Sequence, residues 1–168
     1  MGCASDRQEQ SSQEQFFSLL QDLCGEEFEG DTVFPDDPEH DFYDAELYMK
    51  IESCTDNEIR IPFYVNDDRS RTWVITRTDQ GLLLKHDHRD PETGIEHDLT
   101  QYGGYSNVHG AANVQYFEAD DETAEMLPEA STNVWMLEVN PEEGKFVYYL
   151  ERHDQPRYRA EFRLKKRE

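Results

Sequence analysis

The sequence predicts an all-β domain: an antiparallel eight- to ten-stranded meander that closes into a barrel, with a short N-terminal helix. Three observations carry this prediction. Apolar and polar residues alternate from residue 47 onward, as in Leu47-Tyr48-Met49-Lys50-Ile51, which is the period of a strand with one buried face. Turn residues recur at short intervals, which is typical of hairpins. Few helical patterns interrupt the strands, and closure removes the exposed edges of such a sheet.

An amphipathic helix is predicted directly before the strands. Ser12 can act as its N-cap with Gln15 three residues later, the pattern of a capping box. Gly25 can end the helix in a left-handed turn. We expect this helix to close one end of the barrel with a single apolar stripe. The stripe consists of Phe16, Phe17, Leu19, Leu20 and Leu23.

Turn chemistry separates the strand candidates. Pro91-Glu92-Thr93-Gly94 and Pro141-Glu142-Glu143-Gly144 each predict a four-residue hairpin loop, because proline presets the first turn residue and glycine permits a left-handed last one. Residues 119–128 break the alternation and predict a short helix or loop. Tyr102-Gly103-Gly104-Tyr105 predicts a bulge or sharp bend at the barrel rim. Further candidate strands are residues 59–65, 113–118, 133–140, 145–153 and 157–165.

The chain is strongly acidic, with 38 Asp and Glu against 16 Lys and Arg in 168 residues and a formal net charge of −22. High charge is also typical of disordered chains, but the ordered alternation and 12% aromatic content favour a folded domain with an acidic surface. This charge argues against nucleic-acid binding, which needs clustered Lys and Arg. A saline habitat, or attraction of cations and basic partners, would each account for it.

Residues 1–12 are predicted to be a flexible tether, and residues 13–168 a single barrel domain. Gly2-Cys3-Ala4-Ser5 resembles the end of a bacterial lipobox with Cys3 as the lipidated residue. This predicts a protein of the periplasm or outer membrane that contacts the membrane only through its lipid anchor. Two alternatives are N-myristoylation at Gly2, whose motif wants Ser or Thr where Asp6 stands, and an ordinary cytosolic start.

Two further cysteines bear on the prediction of export. In an exported domain, Cys24 and Cys54 would lie in a compartment that permits disulfides and could pair with each other. The alternative is two separate, partly buried thiols.

The order of helix, Gly25-Glu26-Glu27-Phe28-Glu29-Gly30 and a meander ending in Arg-rich strands resembles the calycin superfamily, which includes lipocalins and fatty-acid-binding proteins. Calycins carry Gly-x-Trp near the first strand and a late Arg or Lys packed over that Trp. Here Phe28 replaces the Trp one residue further on, and Arg157, Arg159 or Arg163 could take the late basic role. The chain also resembles short bacterial secreted proteins of unknown function in residues 84–89, 102–104 and 133–135. The resemblance implies a ligand-holding barrel and no activity.

Three histidines are predicted to converge near the barrel mouth. A four-residue loop at 91–94 pairs Asp90 with Ile95, which places His88 opposite His97 and His86 opposite Leu99. His86 and His88 share one strand face. His86, His88 and His97 would then form a tripod for a transition metal or haem iron, with His109 as a candidate fourth ligand. The alternatives are a polar anchor in a ligand cavity, and a hydrated hairpin tip. His40 and His153 are predicted to be surface residues.

Three functions follow as hypotheses. The first is an exported lipoprotein that holds a small, partly apolar ligand in the barrel. The second is a metal- or haem-binding protein, and the third is an acidic structural or interaction protein of the cell envelope. The sequence carries no nucleophile elbow, P-loop or dinucleotide fingerprint, so nothing in it indicates an enzyme. The candidate ligand-binding residues are Trp73, His86, His88, His97, Tyr116, Trp135 and Tyr148.

Overall fold

A computed structural model of the chain describes residues 11–166 as one antiparallel sheet with two short helices and a 3-10 turn. The helices are α1 (Ser12–Asp22) and α2 (Asp121–Met126), and the 3-10 turn is Pro128–Ala130. The strands are β1 (Glu27–Phe34), β2 (Leu47–Lys50), β3 (Ser53–Cys54), β4 (Glu58–Val65), β5 (Asp68–Thr78), β6 (Gly81–His88), β7 (Tyr102–Tyr105), β8 (Val114–Glu118), β9 (Val134–Asn140), β10 (Lys145–Arg152) and β11 (Gln155–Leu164).

The sheet is a meander that curls into a nearly closed barrel. Its strand order is β7-β6-β5-β4-β2-β1-β11-β10-β9-β8, and β3 pairs with β4 outside this path. Nearly every strand therefore lies beside its neighbour in sequence, while the first and last strands, β1 and β11, pair with each other. The predicted antiparallel all-β class is confirmed. The described residues contain more strands than predicted, because the two-residue β3 is added to a ring of ten.

The seam of the barrel lies between β7 and β8. The backbone N–H of Asp120 donates to Gly103 O at 2.9 Å, and Ser106 forms an isolated bridge with Phe117. A Cβ atom on Gly104 would lie 1.6 Å from Glu118 O, so only glycine permits this approach. The prediction of a bulge or bend at the rim was wrong here: both glycines lie within strand β7, where Gly103 packs closely on Leu84 of β6 and Gly104 lets the two edges of the sheet meet.

Helix α1 closes one end of the barrel. Ser11, not the predicted Ser12, is the N-cap, and its Oγ accepts a hydrogen bond from Glu14 N at 3.2 Å. The helix begins at Ser12, so Ser11 and Ser12, which the prediction placed in the tether, form the start of the helix and its cap. Phe16, Phe17 and Leu20 are fully buried against the strands, as amphipathic burial requires.

A disulfide ties the C-terminal end of α1 to the sheet. Cys24 and Cys54 are bonded, with their Cα atoms 6.3 Å apart and a sequence separation of 30. Cys3 and the rest of residues 1–10 lie outside the described residues. Within residues 11–166, no helix is long and apolar enough to cross a membrane.

The two Pro-Glu-x-Gly loops set the local register as predicted. Asp90 N donates to Ile95 O, His97 N donates to His88 O, and Lys145 lies opposite Asn140. The pairing of His86 with Leu99 was wrong, because the register shifts by three residues and places His86 opposite Tyr102. In the segment 119–128, helix α2 forms where the alternation breaks.

Candidate ligand cavity

The barrel end opposite α1 opens into a cavity of about 1040 Å³. Its walls come from β4, β5, β6, β7, β9, β10 and β11, and the segments around residues 34–42, 97–99 and 126–133 surround its mouth. Aliphatic and aromatic side chains fill the half of the barrel near α1. Cavities of several hundred to about 1000 Å³ are the usual size of small-molecule sites.

A second depression of similar volume, about 1050 Å³, lies on the outer face beside β1 and β2. Charged side chains such as Glu29, Lys50 and Lys165 line it. Its aromatic lining is limited to Tyr48 and Tyr64, whereas many aromatic rings line the interior cavity. The interior cavity is therefore the candidate site.

Stacked aromatic rings form the floor of the cavity. The rings of Trp73 and Tyr148 lie 4.7 Å apart and nearly parallel, and those of Phe63 and Trp73 lie 4.8 Å apart. Trp73 and Tyr148 were both predicted as ligand-binding residues, and both line the cavity. Because Trp73 and Ile75 share one face of β5 at period two, the same strand supplies both the floor and the core beneath it.

His86 lies in the cavity wall with both ring nitrogens engaged. Nδ1 lies 2.9 Å from Tyr102 O, a pure acceptor, so Nδ1 carries the proton and donates. Nε2 then accepts from the Tyr148 hydroxyl at 2.9 Å. Burial lowers the pKa of His86 from 6.5 to about 4, against the opposing effect of the Tyr102 carbonyl. The side chain is therefore a neutral, oriented group at neutral pH.

His88 and His97 form a separate pair at the mouth. Their rings stack with centroids 3.7 Å apart, and His88 Nε2 lies 3.0 Å from Ser70 Oγ. Burial lowers the pKa of His88, and the positive charge of Arg71 lowers it further.

The three histidines line one cavity but do not form the predicted metal tripod. In residues 11–166, no group of three His, Cys, Asp or Glu side chains is placed to hold a metal ion. The reason is local: both ring nitrogens of His86 are hydrogen-bonded within the wall, and His88 and His97 face each other as rings. His109, the candidate fourth ligand, lies in the loop that Gln13 of α1 contacts through Asn107, at the opposite end of the barrel.

The other predicted residues divide between the two faces of the sheet. Trp135 is buried, lines the cavity and lies 5.1 Å from the His86 ring. Tyr116 does not line it, because Phe117 takes the inward position on β8 and period two turns Tyr116 outward. His153 is exposed, as predicted, and lies at the rim of the cavity. His40, also predicted to be a surface residue, is half-buried in the lining and stacks on Tyr158 at 5.5 Å.

Arg71, Tyr102 and Tyr158 are cavity residues that the sequence reasoning did not select. Arg71 lies two residues before Trp73 and therefore on the same face of β5, which is the signal that could have found it. Its guanidinium carbon lies 5.1 Å from the centre of the Phe42 ring, and Nη1 pairs with Asp68 at 2.7 Å. Tyr102 stacks on His86 with ring centroids 4.5 Å apart. Tyr102 could not be predicted to face His86, because that contact depends on the register of β7 against β6, which alternation alone does not set.

Comparisons with known proteins identify no family for this chain. No protein-family model, no curated protein and no solved structure matches the chain.

Proposed function

We propose that this chain is a non-catalytic binding protein that holds a small, partly apolar ligand in the barrel cavity. The observation that carries the proposal is the cavity itself: about 1040 Å³, open at one end, with aromatic walls and a few oriented polar groups. Specific small-molecule sites combine these features, since apolar walls provide affinity and fixed polar groups provide orientation. His86, held in one tautomer by Tyr102 and Tyr148, is such a group.

A calycin-like, lipocalin-like assignment is part of this proposal. The nearly closed antiparallel barrel with one helix across its end is compatible with it. The residues of the calycin arginine contact are arranged differently: Phe28 packs against Phe146, Arg159 lies over Tyr149, and Arg157 lines the cavity. Support for the assignment therefore comes from the architecture.

The cavity is tested by titrating the intact protein with N-phenyl-1-naphthylamine, an uncharged aromatic probe whose fluorescence rises in apolar sites. Tyr102→Ala and Tyr116→Ala are matched variants, one in the cavity wall and one on the outer face. We expect Tyr102→Ala to weaken probe binding about fivefold, because an aromatic contact contributes about 1 kcal/mol, and Tyr116→Ala to leave it unchanged. Absence of saturable binding to the wild-type protein, or equal effects of the two variants, would contradict the proposal. Native mass spectrometry of the purified protein then shows whether a ligand accompanies it.

Export with a lipid anchor on Cys3 is a second part of the proposal. It is supported by Gly2-Cys3-Ala4-Ser5 and by the Cys24–Cys54 disulfide, since oxidising compartments maintain such bonds. In the bacterial setting that the lipobox implies, Cys3→Ser is expected to move the protein from the detergent phase to the aqueous phase. Rapid alkylation of whole cells is expected to leave Cys24 and Cys54 unlabelled. Labelling of both thiols, or detergent partitioning that does not depend on Cys3, would count against export by this route.

A further inference from the structure

The cavity lining reverses the charge of the rest of the chain. The protein carries 38 acidic and 16 basic residues. Among the described residues that line the cavity, however, three are arginines and one, Asp98, is acidic. Five of the six histidines of the chain also line it. Arginines therefore outnumber acidic side chains in the cavity lining, whereas acidic residues outnumber basic ones in the chain as a whole.

Arg71 brings this positive charge toward the interior. It is partly buried, and its charge reaches the aromatic wall: burial raises the pKa of Tyr102, and the charge of Arg71 opposes that rise. Asp68 accepts from Nη1 at 2.7 Å. A guanidinium has five N–H donors in a planar fork, so one such pair leaves it able to bind a second anion.

Arg152 and Arg157 are the other two arginines, and they repel each other. Burial lowers the pKa of Arg152, the charge of Arg157 lowers it further, and Glu129 acts in the opposite direction. Nε of Arg152 donates to Asn133 Oδ1 at 2.9 Å, which holds the side chain at the cavity lining. An anion close to both guanidinium groups would offset this repulsion.

We infer that the ligand is an organic anion whose aromatic body lies against the half-buried rings of Phe42 and Tyr102, and whose acidic group meets the arginines of the cavity, Arg71, Arg152 and Arg157. This inference rests on the proposed function and adds the chemical class of the ligand. The acidic exterior does not oppose it at physiological salt, because charges more than about 8 Å from the acidic group are screened. Charge-assisted, bidentate bonds from arginine act at contact distance and are not screened in this way.

Two probes that differ by one acidic group test whether the cavity binds an anion. 8-Anilinonaphthalene-1-sulfonate is N-phenyl-1-naphthylamine with a sulfonate added. We expect Arg71→Gln and Arg157→Gln each to weaken binding of the sulfonate about tenfold, the effect of losing one hydrogen bond to a charged group, and to leave binding of the uncharged probe within about twofold. Arg157 is exposed, so its variant keeps the test informative if Arg71→Gln affects folding. Arg163→Gln, on the outer face, is the matched control and is expected to change neither affinity.

The outcomes separate the two proposals. If the wild type binds both probes and both cavity variants keep wild-type affinity for the sulfonate, the anion inference is wrong while the proposed function stands. If the wild type binds neither probe, the proposed function itself fails. Competition tests the aromatic part: naphthalene-1-sulfonate is expected to displace the bound probe at lower concentration than octanesulfonate. Equal displacement would overturn the assignment of an aromatic body.

Discussion

His86 lies between two partners that fix its proton. The Tyr102 carbonyl receives the Nδ1 proton, and the Tyr148 hydroxyl donates to Nε2. Stacking on Tyr102 and contact with Trp135 hold the ring in the wall. Protonating this ring would place a charge in a buried aromatic layer and would require the Tyr148 hydroxyl to change from donor to acceptor. Because burial disfavours the charged ring, His86 destabilises the folded protein at acid pH.

The pH dependence of stability follows from the lowered pKa of His86. Its value is 6.5 in an ordinary environment and about 4 in the folded protein, so between these pH values only the unfolded chain binds the proton. The free energy of unfolding is expected to fall as the pH falls through this window, by up to about 3 kcal/mol from this residue. Urea unfolding at a series of pH values from 7.5 to 4.5 measures it.

His86→Gln should flatten this pH dependence relative to the wild type, whereas His153→Gln, at an exposed position on the rim, should leave the slope unchanged. Identical slopes for His86→Gln and the wild type would contradict the assignment. If His86→Gln does not fold, imidazole NMR shifts of the wild-type protein report the same quantity. A neutral His86 at pH 5 is then the expected result.

At the scale of elements, the β7–β8 seam depends on close backbone approach. A Cβ on Gly104 would lie 1.6 Å from a backbone oxygen of β8, and backbone cannot move aside as a flexible side chain can. We expect Gly104→Ala to lower the free energy of unfolding by about 3 kcal/mol or more. Gly94→Ala is the comparison, because Gly94 has φ +74° and open space around it, and its expected cost is about 1 kcal/mol. Equal losses in urea unfolding would show that the seam is not a constrained contact.

The disulfide is the second element-scale constraint. It closes a loop over 30 residues that contains β1 and β2. In the chain-entropy description, a loop of this length stabilises the folded state by about 3–4 kcal/mol. Cys24→Ser with Cys54→Ser is expected to lower the free energy of unfolding by roughly this amount and to leave probe binding in the distant cavity intact. A double variant with wild-type stability would contradict the prediction.

At the scale of the whole molecule, net charge opposes compactness. A charge of −22 on 168 residues repels itself most in the folded state. Raising NaCl from about 20 mM to about 0.5 M shortens the screening length, and we expect the melting temperature to rise by several degrees. Choline chloride at the same ionic strength is the control, because screening by a bulky cation should give the same rise. A fall in melting temperature with both salts would contradict this account.

The sequence by itself determined the class of fold and much of its local order. Period two predicted the strands because it is a property of adjacent residues on one chain. The Pro-Glu-x-Gly loop at 91–94 predicted the pairing of His88 with His97, and the one at 141–144 predicted a hairpin loop, because a short turn fixes register only within a few residues of itself. Trp73, Trp135 and Tyr148 were selected as candidate ligand residues, and they lie at the cavity.

Only the tertiary structure decided which face of the sheet and which end of the barrel these residues occupy. Tyr116 and Phe117 are both aromatic neighbours, so alternation alone could not choose the inward one. The three-residue shift between His88 and His86 arises from the loop that leads into β7, and it separates His86 from the stacked pair. Arg71 becomes a cavity residue because ring closure turns its face of β5 inward while α1 fills the opposite end. Periodicity is local to one strand, whereas the cavity depends on how all the strands close around it.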